Sequence, residues 1–101
     1  MDNRIQSRLQ KINHVKVLYR SILERNGKAS NTKRRRLKNK AEELYTFGDD
    51  AQLGVLAARI ASIALAVEHW SKSGNDMELE FIAQKIKAAD AECSRILGEE
   101  S

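Results

Sequence analysis

Residues 53–70 read LGVLAARIASIALAVEHW, and this stretch decides the fold of the chain. A helix over residues 51–71 carries one narrow stripe, mostly polar, whose members recur every three or four residues. The stripe consists of Gln52, Val55, Arg59, Ser62, Ala66 and His69. Nearly all other side chains of this helix are apolar, and its alanines permit neighbouring helices to approach closely. The stretch therefore predicts the central helix of an all-α bundle.

Two further long helices complete the predicted core. Residues 2–25 form the first, which Asp2 caps and Asn26-Gly27 ends. Its main apolar face comprises Ile5, Leu9, Ile12, Tyr19 and Leu23, with Val15 and Ile22 at the edge. Residues 76–97 form the last helix, whose apolar stripe comprises Leu79, Ile82, Ile86, Ala89, Cys93 and Ile96. We expect a small antiparallel bundle of about four helices, with helix three at its centre.

The second helix, over residues 32–47, is predicted to be short, basic and loosely held. Ser30, Asn31 or Thr32 can cap its start. Its apolar stripe is thin and consists of Leu37, Ala41, Leu44 and, at the margin, Tyr45. Residues 33–36 are all basic and crowd positive charge into the first turns, where cations oppose the helix dipole. We expect this helix to fray until an anionic partner neutralises it.

The composition indicates one small helical domain over residues 1–101. Hydrophobic residues make up 42% of the chain and charged residues 32%, with five glycines and no proline. So few turn-forming residues argue against a sandwich or barrel with many tight turns. A single cysteine excludes an internal disulfide framework. The core of such a chain is narrow, which leaves open a monomer or a homodimer.

The sequence shows neither a secretory signal nor a membrane span. No apolar run follows the first basic residues, so we expect no secretory signal. The most apolar stretch, residues 53–67, is short and contains Arg59, which makes it a poor membrane span. We therefore expect a cytoplasmic protein without a membrane partner.

Charge divides the chain into a basic N-terminal half and an acidic helical scaffold. Residues 1–40 hold 13 Lys/Arg against two acids, whereas residues 41–101 hold five Lys/Arg against 12 acids. The acidic scaffold is assigned to residues 41–98. A basic half of this density is typical of proteins that bind a polyanion, such as nucleic acid or an acidic protein. The alternative is that the two halves neutralise each other, within the fold or across a dimer.

The candidate nucleic-acid-binding residues centre on the second helix. They are Lys28, Lys33, Arg34, Arg35, Arg36, Lys38 and Lys40, and Arg4, Arg8 and Lys11 are expected to extend the surface. Cations presented together bind phosphates by releasing condensed counterions, and arginine adds forked hydrogen bonds. Tyr19 is the one aromatic residue within residues 1–40, which favours duplex DNA or structured RNA over stacked single strands. Replacing residues 34–36 with Ala is expected to weaken binding and leave folding intact.

No motif points to catalysis, a cofactor or a metal. His14 and His69 lack ligand-spaced partners and are expected to be solvated. Cys93 is expected to be a buried thiol, and Asp49 or Asp50 to cap helix three. Trp70 and Phe81 are expected in the core. Glycine-rich phosphate-binding loops are missing, so we expect no enzymatic activity.

The sequence thus favours a nucleic-acid-binding accessory or regulatory protein that contacts phosphates through the second helix. A helix-turn-helix is a variant of this hypothesis, although the linker is long and the second helix lacks a strong inner apolar pattern. The alternative class is an adaptor or inhibitor that binds another protein through its charged faces. The acidic face of the last helix, with Asp76, Glu78, Glu80, Asp90 and Glu92, keeps that alternative open.

Overall fold

A computed structural model describes the backbone of residues 3–100 and the side chains of residues 4–95. Four α-helices follow one another: α1 (Asn3–Glu24), α2 (Asn31–Leu44), α3 (Gly54–Ser73) and α4 (Met77–Glu100). A 3₁₀ turn over Tyr45–Asp49 follows α2 directly. No strand occurs in the backbone from residue 3 to residue 100, so the predicted all-α bundle is confirmed. The predicted cap Asp2 and the side chain of Ile96 lie outside the described residues.

Helix α3 is the centre of the bundle, as its sequence predicts. Helices α1, α2 and α4 all pack against it, and α1 also packs against α2. Its buried side chains include Leu56, Ile60, Ile63, Val67 and Trp70, each 4% exposed or less. Helix α4 makes substantial contact with α3 alone. For that reason Leu79, Ile86 and Cys93 of the predicted α4 stripe are half-buried, while Ile82 and Ala89 are fully buried.

The inner face of α1 is rotated from its predicted position. Val15 and Ile22, expected at the edge, are buried, whereas Ile5, Leu9 and Leu23 are half-buried. The cause is that α1 contacts two helices at once, α3 and α2. The side chains that point between these two neighbours lose most contact with water. The spacing of apolar residues along α1 identifies an apolar face. Which side chains of that face are most deeply buried depends on where α2, the second neighbouring helix, lies.

The connection from α2 to α3 differs from the predicted continuous helix over residues 32–47. The α-helix ends at Leu44, and the tighter 3₁₀ turn places Phe47 in the core, where it is 5% exposed. The Arg8 guanidinium lies 5.0 Å from the centre of the Phe47 ring. Asp50 then accepts hydrogen bonds from the backbone N–H groups of Gln52 (2.8 Å) and Leu53 (2.9 Å). It therefore caps the turn that precedes α3 and not, as predicted, α3 itself, whose N-cap residue Leu53 makes no side-chain capping bond. Helix α3 begins at Gly54, three residues later than predicted.

The connection from α1 to α2 packs against the C-terminal end of α3. Gly27 adopts a φ of +83°, and a Cβ atom at this position would lie 3.2 Å from the Trp70 ring. The Ser71 hydroxyl donates a 2.6 Å hydrogen bond to the Gly27 carbonyl. Ser30 caps α2 by accepting a hydrogen bond from the Lys33 backbone N–H. Glycine suits this position because it has the required conformation and no side chain to collide with Trp70.

Phe81 is not in the core, contrary to the prediction. Its side chain is 59% exposed, because it lies at the edge of the face that α4 turns toward α3. Trp70 is buried at 4% exposure, as predicted. Across the described backbone, no helix combines the length and the apolar character that crossing a bilayer requires.

Replacing Asp50 with Ala is expected to lower the free energy of unfolding by about 1–2 kcal/mol at neutral pH. The carboxylate caps the turn that leads into α3 and pairs with Arg8 at 2.9 Å, and both side chains are largely buried. The hydrogen bond from the Leu53 backbone N–H is the main cause that lowers the pKa of Asp50 below its ordinary value of 3.8. Burial raises this pKa, whereas the Gln52 N–H and the Arg8 guanidinium lower it further. Urea unfolding followed by circular dichroism measures the effect.

This stabilisation has a defined pH dependence. The folded state favours the carboxylate, so the contribution is fully present above the unfolded pKa and is lost as pH falls through the lower folded pKa. The difference between wild type and Asp50→Ala is therefore expected to shrink as the pH falls below about 4, the ordinary range of an aspartate carboxyl. Asp49→Ala is the control, since Asp49 is 67% exposed and 3.6 Å from Arg8. A penalty for Asp49→Ala as large as that for Asp50→Ala would contradict this assignment.

Candidate nucleic-acid interface

The packing of α2 determines where its cations lie. Leu37, Ala41 and Leu44 are buried against the rest of the bundle. Since an α-helix advances about 100° per residue, these three positions define the inner face. Lys33 and Arg34 fall at the two borders of that face and are half-buried. The other cations of the helix point outward.

Four of the seven predicted residues present unpaired charges. The side chains of Lys28, Arg35, Arg36 and Lys38 are all exposed. None of them makes an ion pair or a hydrogen bond with any side chain between residues 4 and 95. Lys40 is also exposed, and its Nζ lies 3.8 Å from a Glu43 carboxylate oxygen.

Lys33 and Arg34 are held inside the fold instead. The Lys33 ammonium donates a 2.6 Å hydrogen bond to the Ser21 hydroxyl of α1. The Arg34 guanidinium donates to the Ala29 carbonyl (2.8 Å), to the Ser71 hydroxyl (3.3 Å) and to the side-chain oxygen of Asn31. Arg34 thus connects the start of α2 to the end of α3. These internal bonds engage Lys33 Nζ and both terminal nitrogens of Arg34, and Arg34 Nε is buried.

Lys72, which the sequence analysis did not select, completes the site from α3. Together with Arg35, Lys38 and Asn31 it lines an open pocket of about 240 Å³ between α2 and α3, which Arg34 and Glu68 border. Glu68 is 8% exposed and pairs with the Lys72 ammonium at 2.7 Å. The i, i+4 spacing of Glu68 and Lys72 predicts their ion pair. Nothing in the sequence indicates that this pair lies beside the start of α2.

The α1 side of α2 carries further polar and basic groups. Lys11 lies 3.4 Å from Glu43, and both border an open pocket of about 280 Å³ with His14 and Lys40. His14 is exposed, as expected. Arg8, which was predicted to extend the basic surface, instead pairs with Asp49 and Asp50 and contacts Phe47. We exclude it from the candidate interface because its side chain is only 15% exposed and is enclosed between two carboxylates and the Phe47 ring.

We use the name basic surface for six exposed cations around the start and middle of α2. They are Lys28, Arg35, Arg36, Lys38, Lys40 and Lys72. Their density gives this face a strongly positive potential, which raises the local concentration of any polyanion. Five of the seven predicted residues belong to it.

The remaining candidate residues do not form a chemical site. His69 is 70% exposed and also contacts Glu78, with 3.0 Å between Nδ1 and a carboxylate oxygen, a partner that the prediction of a solvated ring did not include. Cys93 is a half-buried free thiol rather than a fully buried one. Among the side chains that the structure describes, no group of His, Cys, Asp and Glu could hold a metal ion.

Comparison with known proteins gives no family assignment for this chain. No family model matches it, and no curated protein or solved structure shows significant similarity.

Proposed function

We propose that this protein binds nucleic acid through the basic surface, as an accessory or regulatory factor without enzymatic activity. The supporting observation is that Lys28, Arg35, Arg36 and Lys38 are exposed and lack ion pairs within residues 4–95. Uncompensated cations at this density repel one another, so a polyanion that binds them relieves the repulsion and gains affinity from counterion release. We further propose that the protein acts in the cytoplasm.

The arrangement of ion pairs opposes the alternative that the two halves of the chain neutralise each other. Several acids of the second half do pair with cations of the first, through Arg8, Lys11 and Lys40. These pairs lie around the ends of α2 and α3 nearest to Asp50, away from Lys28 and Arg35. Lys28, Arg35 and Arg36 near the start of α2 make no ion pair within residues 4–95, which supports an external anionic partner.

The aromatic residues support phosphate contact rather than base stacking. Tyr19 is 1% exposed and cannot receive a base. Tyr45, 50% exposed at the end of α2, is a single ring, whereas stacking platforms for single strands use several successive aromatics. A duplex or structured RNA, whose backbone presents closely spaced phosphates, therefore suits this surface best.

The acidic groups of α4 favour one orientation on a nucleic acid. Glu80 and Asp90 are exposed on α4, which packs against α3 and makes no substantial contact with α2. Their repulsion by phosphates turns α4 outward and the start of α2 inward. Such contacts position a protein on a backbone without reading sequence.

Fluorescence anisotropy with labelled duplex DNA, duplex RNA and a single strand tests the proposal. We expect duplex binding with a slope of log affinity against log salt of about −5, if the six cations each neutralise about one phosphate. Weak binding of the single strand is expected alongside. Absence of binding to all three ligands at low salt would overturn the proposal. The acidic-partner alternative would then be tested by a pull-down.

A further inference from the structure

The pocket between the start of α2 and the end of α3 has a lining unlike that of an ordinary ligand pocket. All six residues that line it are polar or charged: Asn31, Arg34, Arg35, Lys38, Glu68 and Lys72. Pockets that bind drug-sized molecules are lined mostly by apolar and aromatic side chains and measure roughly 300–1,000 Å³. This pocket is smaller, at about 240 Å³. Both properties suit a compact ionic group rather than a base or a nucleoside.

The charge of the lining selects an anion. Four cations and one carboxylate line the pocket, which leaves an excess of positive charge. Arg35 and Lys38 are exposed and make no bond with any side chain between residues 4 and 95. Their hydrogen-bond donors are therefore available to a ligand. Since the two residues belong to α2 and Lys72 belongs to α3, cations reach the pocket from both helices.

Internal bonds hold the other lining residues in position before a ligand arrives. Arg34 is fixed by the hydrogen bonds described above, and one of them goes to the side-chain oxygen of Asn31, which leaves the amide N–H groups of Asn31 as donors. The Lys72 ammonium pairs at 2.7 Å with Glu68, whose side chain is only 10% exposed. An ammonium has three donors, so this pair leaves Lys72 able to bind an anion as well. Positioning of this kind lowers the entropic cost of binding.

Given the nucleic-acid binding proposed above, on which this step rests, we propose that the pocket binds a terminal phosphate of a nucleic acid, at its 5′ or 3′ end. A phosphodiester within a strand carries one negative charge. A terminal phosphate, as a phosphomonoester, carries about 1.5 to 2 negative charges at neutral pH and has three strong acceptor oxygens. Arg35 offers a planar fork to two of these oxygens, and the ammonium groups of Lys38 and Lys72 act as point charges. The cations of the pocket thus match a terminal phosphate better than an internal one.

The other cations of the basic surface are left for the strand next to its end. Lys28, Arg36 and Lys40 are exposed and do not line the pocket. They can contact the internal phosphodiesters, and such contacts carry no sequence information. A terminal phosphate in the pocket would therefore determine where on a nucleic acid the protein binds.

Fluorescence anisotropy with three duplexes of one sequence tests the terminal-phosphate site. At the end opposite the label, one duplex carries a 5′ phosphate, one a 3′ phosphate, and one only hydroxyl groups. We expect wild type to bind one of the phosphorylated duplexes at least about fivefold more tightly than the hydroxyl duplex, since charge-assisted hydrogen bonds are the strong ones. Its salt slope should be steeper by about 1, because about one more negative charge is neutralised. Which of the two phosphorylated duplexes is preferred identifies the strand end.

Two double variants with the same change of charge locate the site. Arg35→Ala with Lys38→Ala removes two cations that line the pocket and should reduce the preference for the phosphorylated end to below about twofold. Arg36→Ala with Lys40→Ala removes one arginine and one lysine of α2 that do not line it. This control should weaken the binding of all three duplexes by a similar factor and keep the preference. All four side chains are exposed, so both variants should keep the helical circular dichroism spectrum.

The outcomes separate this site from the proposed function. Equal affinity of wild type for the three duplexes would overturn the terminal-phosphate site and leave nucleic-acid binding intact. A preference that survives the change of Arg35 and Lys38, or that is lost with Arg36 and Lys40, would also overturn it. Absence of binding to every duplex at low salt would overturn the proposed function and the terminal-phosphate site together.

Discussion

A variant with Arg35, Arg36 and Lys38 replaced by Ala is expected to bind duplex nucleic acid roughly 100-fold more weakly than wild type. The three side chains are exposed and unpaired among residues 4–95, and each is expected to contribute about 1 kcal/mol through contact with a phosphate. Their removal should also reduce the salt slope from about −5 to about −3. Anisotropy titrations at several salt concentrations measure both quantities.

The same variant should fold normally. None of the three side chains bonds to a described part of the protein, and alanine has a higher helix propensity than the residues it replaces. Removing like charges near the N-terminus of α2 also removes unfavourable interactions with the helix dipole. We therefore expect an unchanged or slightly raised free energy of unfolding, measured with urea. This result would separate a loss of binding from a loss of structure.

A single-charge comparison serves as the control for this prediction. Lys87 is exposed on α4 and, like Lys38, has no ion pair within the described side chains. Lys38→Ala should lower the affinity and reduce the salt slope by about 1, whereas Lys87→Ala should change neither. Equal effects of the two substitutions would show that net charge, rather than the basic surface, governs binding.

Replacing Arg34 with Ala is expected to lower the free energy of unfolding by about 2–3 kcal/mol. The guanidinium bonds to Ala29 and Asn31 at the start of α2 and to Ser71 at the end of α3. Hydrogen bonds from a charged donor are worth more than neutral ones, and the Ala29 carbonyl would lose its partner. Urea or thermal unfolding followed by circular dichroism at 222 nm measures the effect.

Two substitutions give this second prediction its controls. Arg34→Lys keeps the charge but offers no planar fork to reach three acceptors, so it should recover less than half of the loss. Arg35→Ala, at the next position, should cost less than about 0.5 kcal/mol, because its side chain is exposed and unbonded among the described residues. If Arg34→Ala proved as mild as Arg35→Ala, the internal role of Arg34 would be wrong. The expectation that all of residues 34–36 can be removed without effect on folding would then hold.

Consecutive basic residues in α2 thus have different roles that their sequence does not distinguish. Lys33 bonds to Ser21, Arg34 bonds to Ser71, and Arg35 is free of bonds within the described side chains. The rotation of about 100° per residue separates them into inner borders and outer face. Leu37, Ala41 and Leu44 predict which face of α2 is inner. This thin apolar stripe does not indicate which residues of the neighbouring helices offer hydrogen-bond acceptors to Lys33 and Arg34.

The sequence alone determined the number and order of the helices, the central place of α3 and the location of positive charge. These features depend on local periodicity and on breaks such as Asn26-Gly27, which act over a few residues. Only the tertiary structure decided that Arg8 is enclosed between two carboxylates, that Lys72 joins the basic surface and that Phe81 is exposed. Each of these outcomes depends on which helices meet side by side. Such contacts join residues far apart in the chain, and helical spacing within one segment carries no information about them.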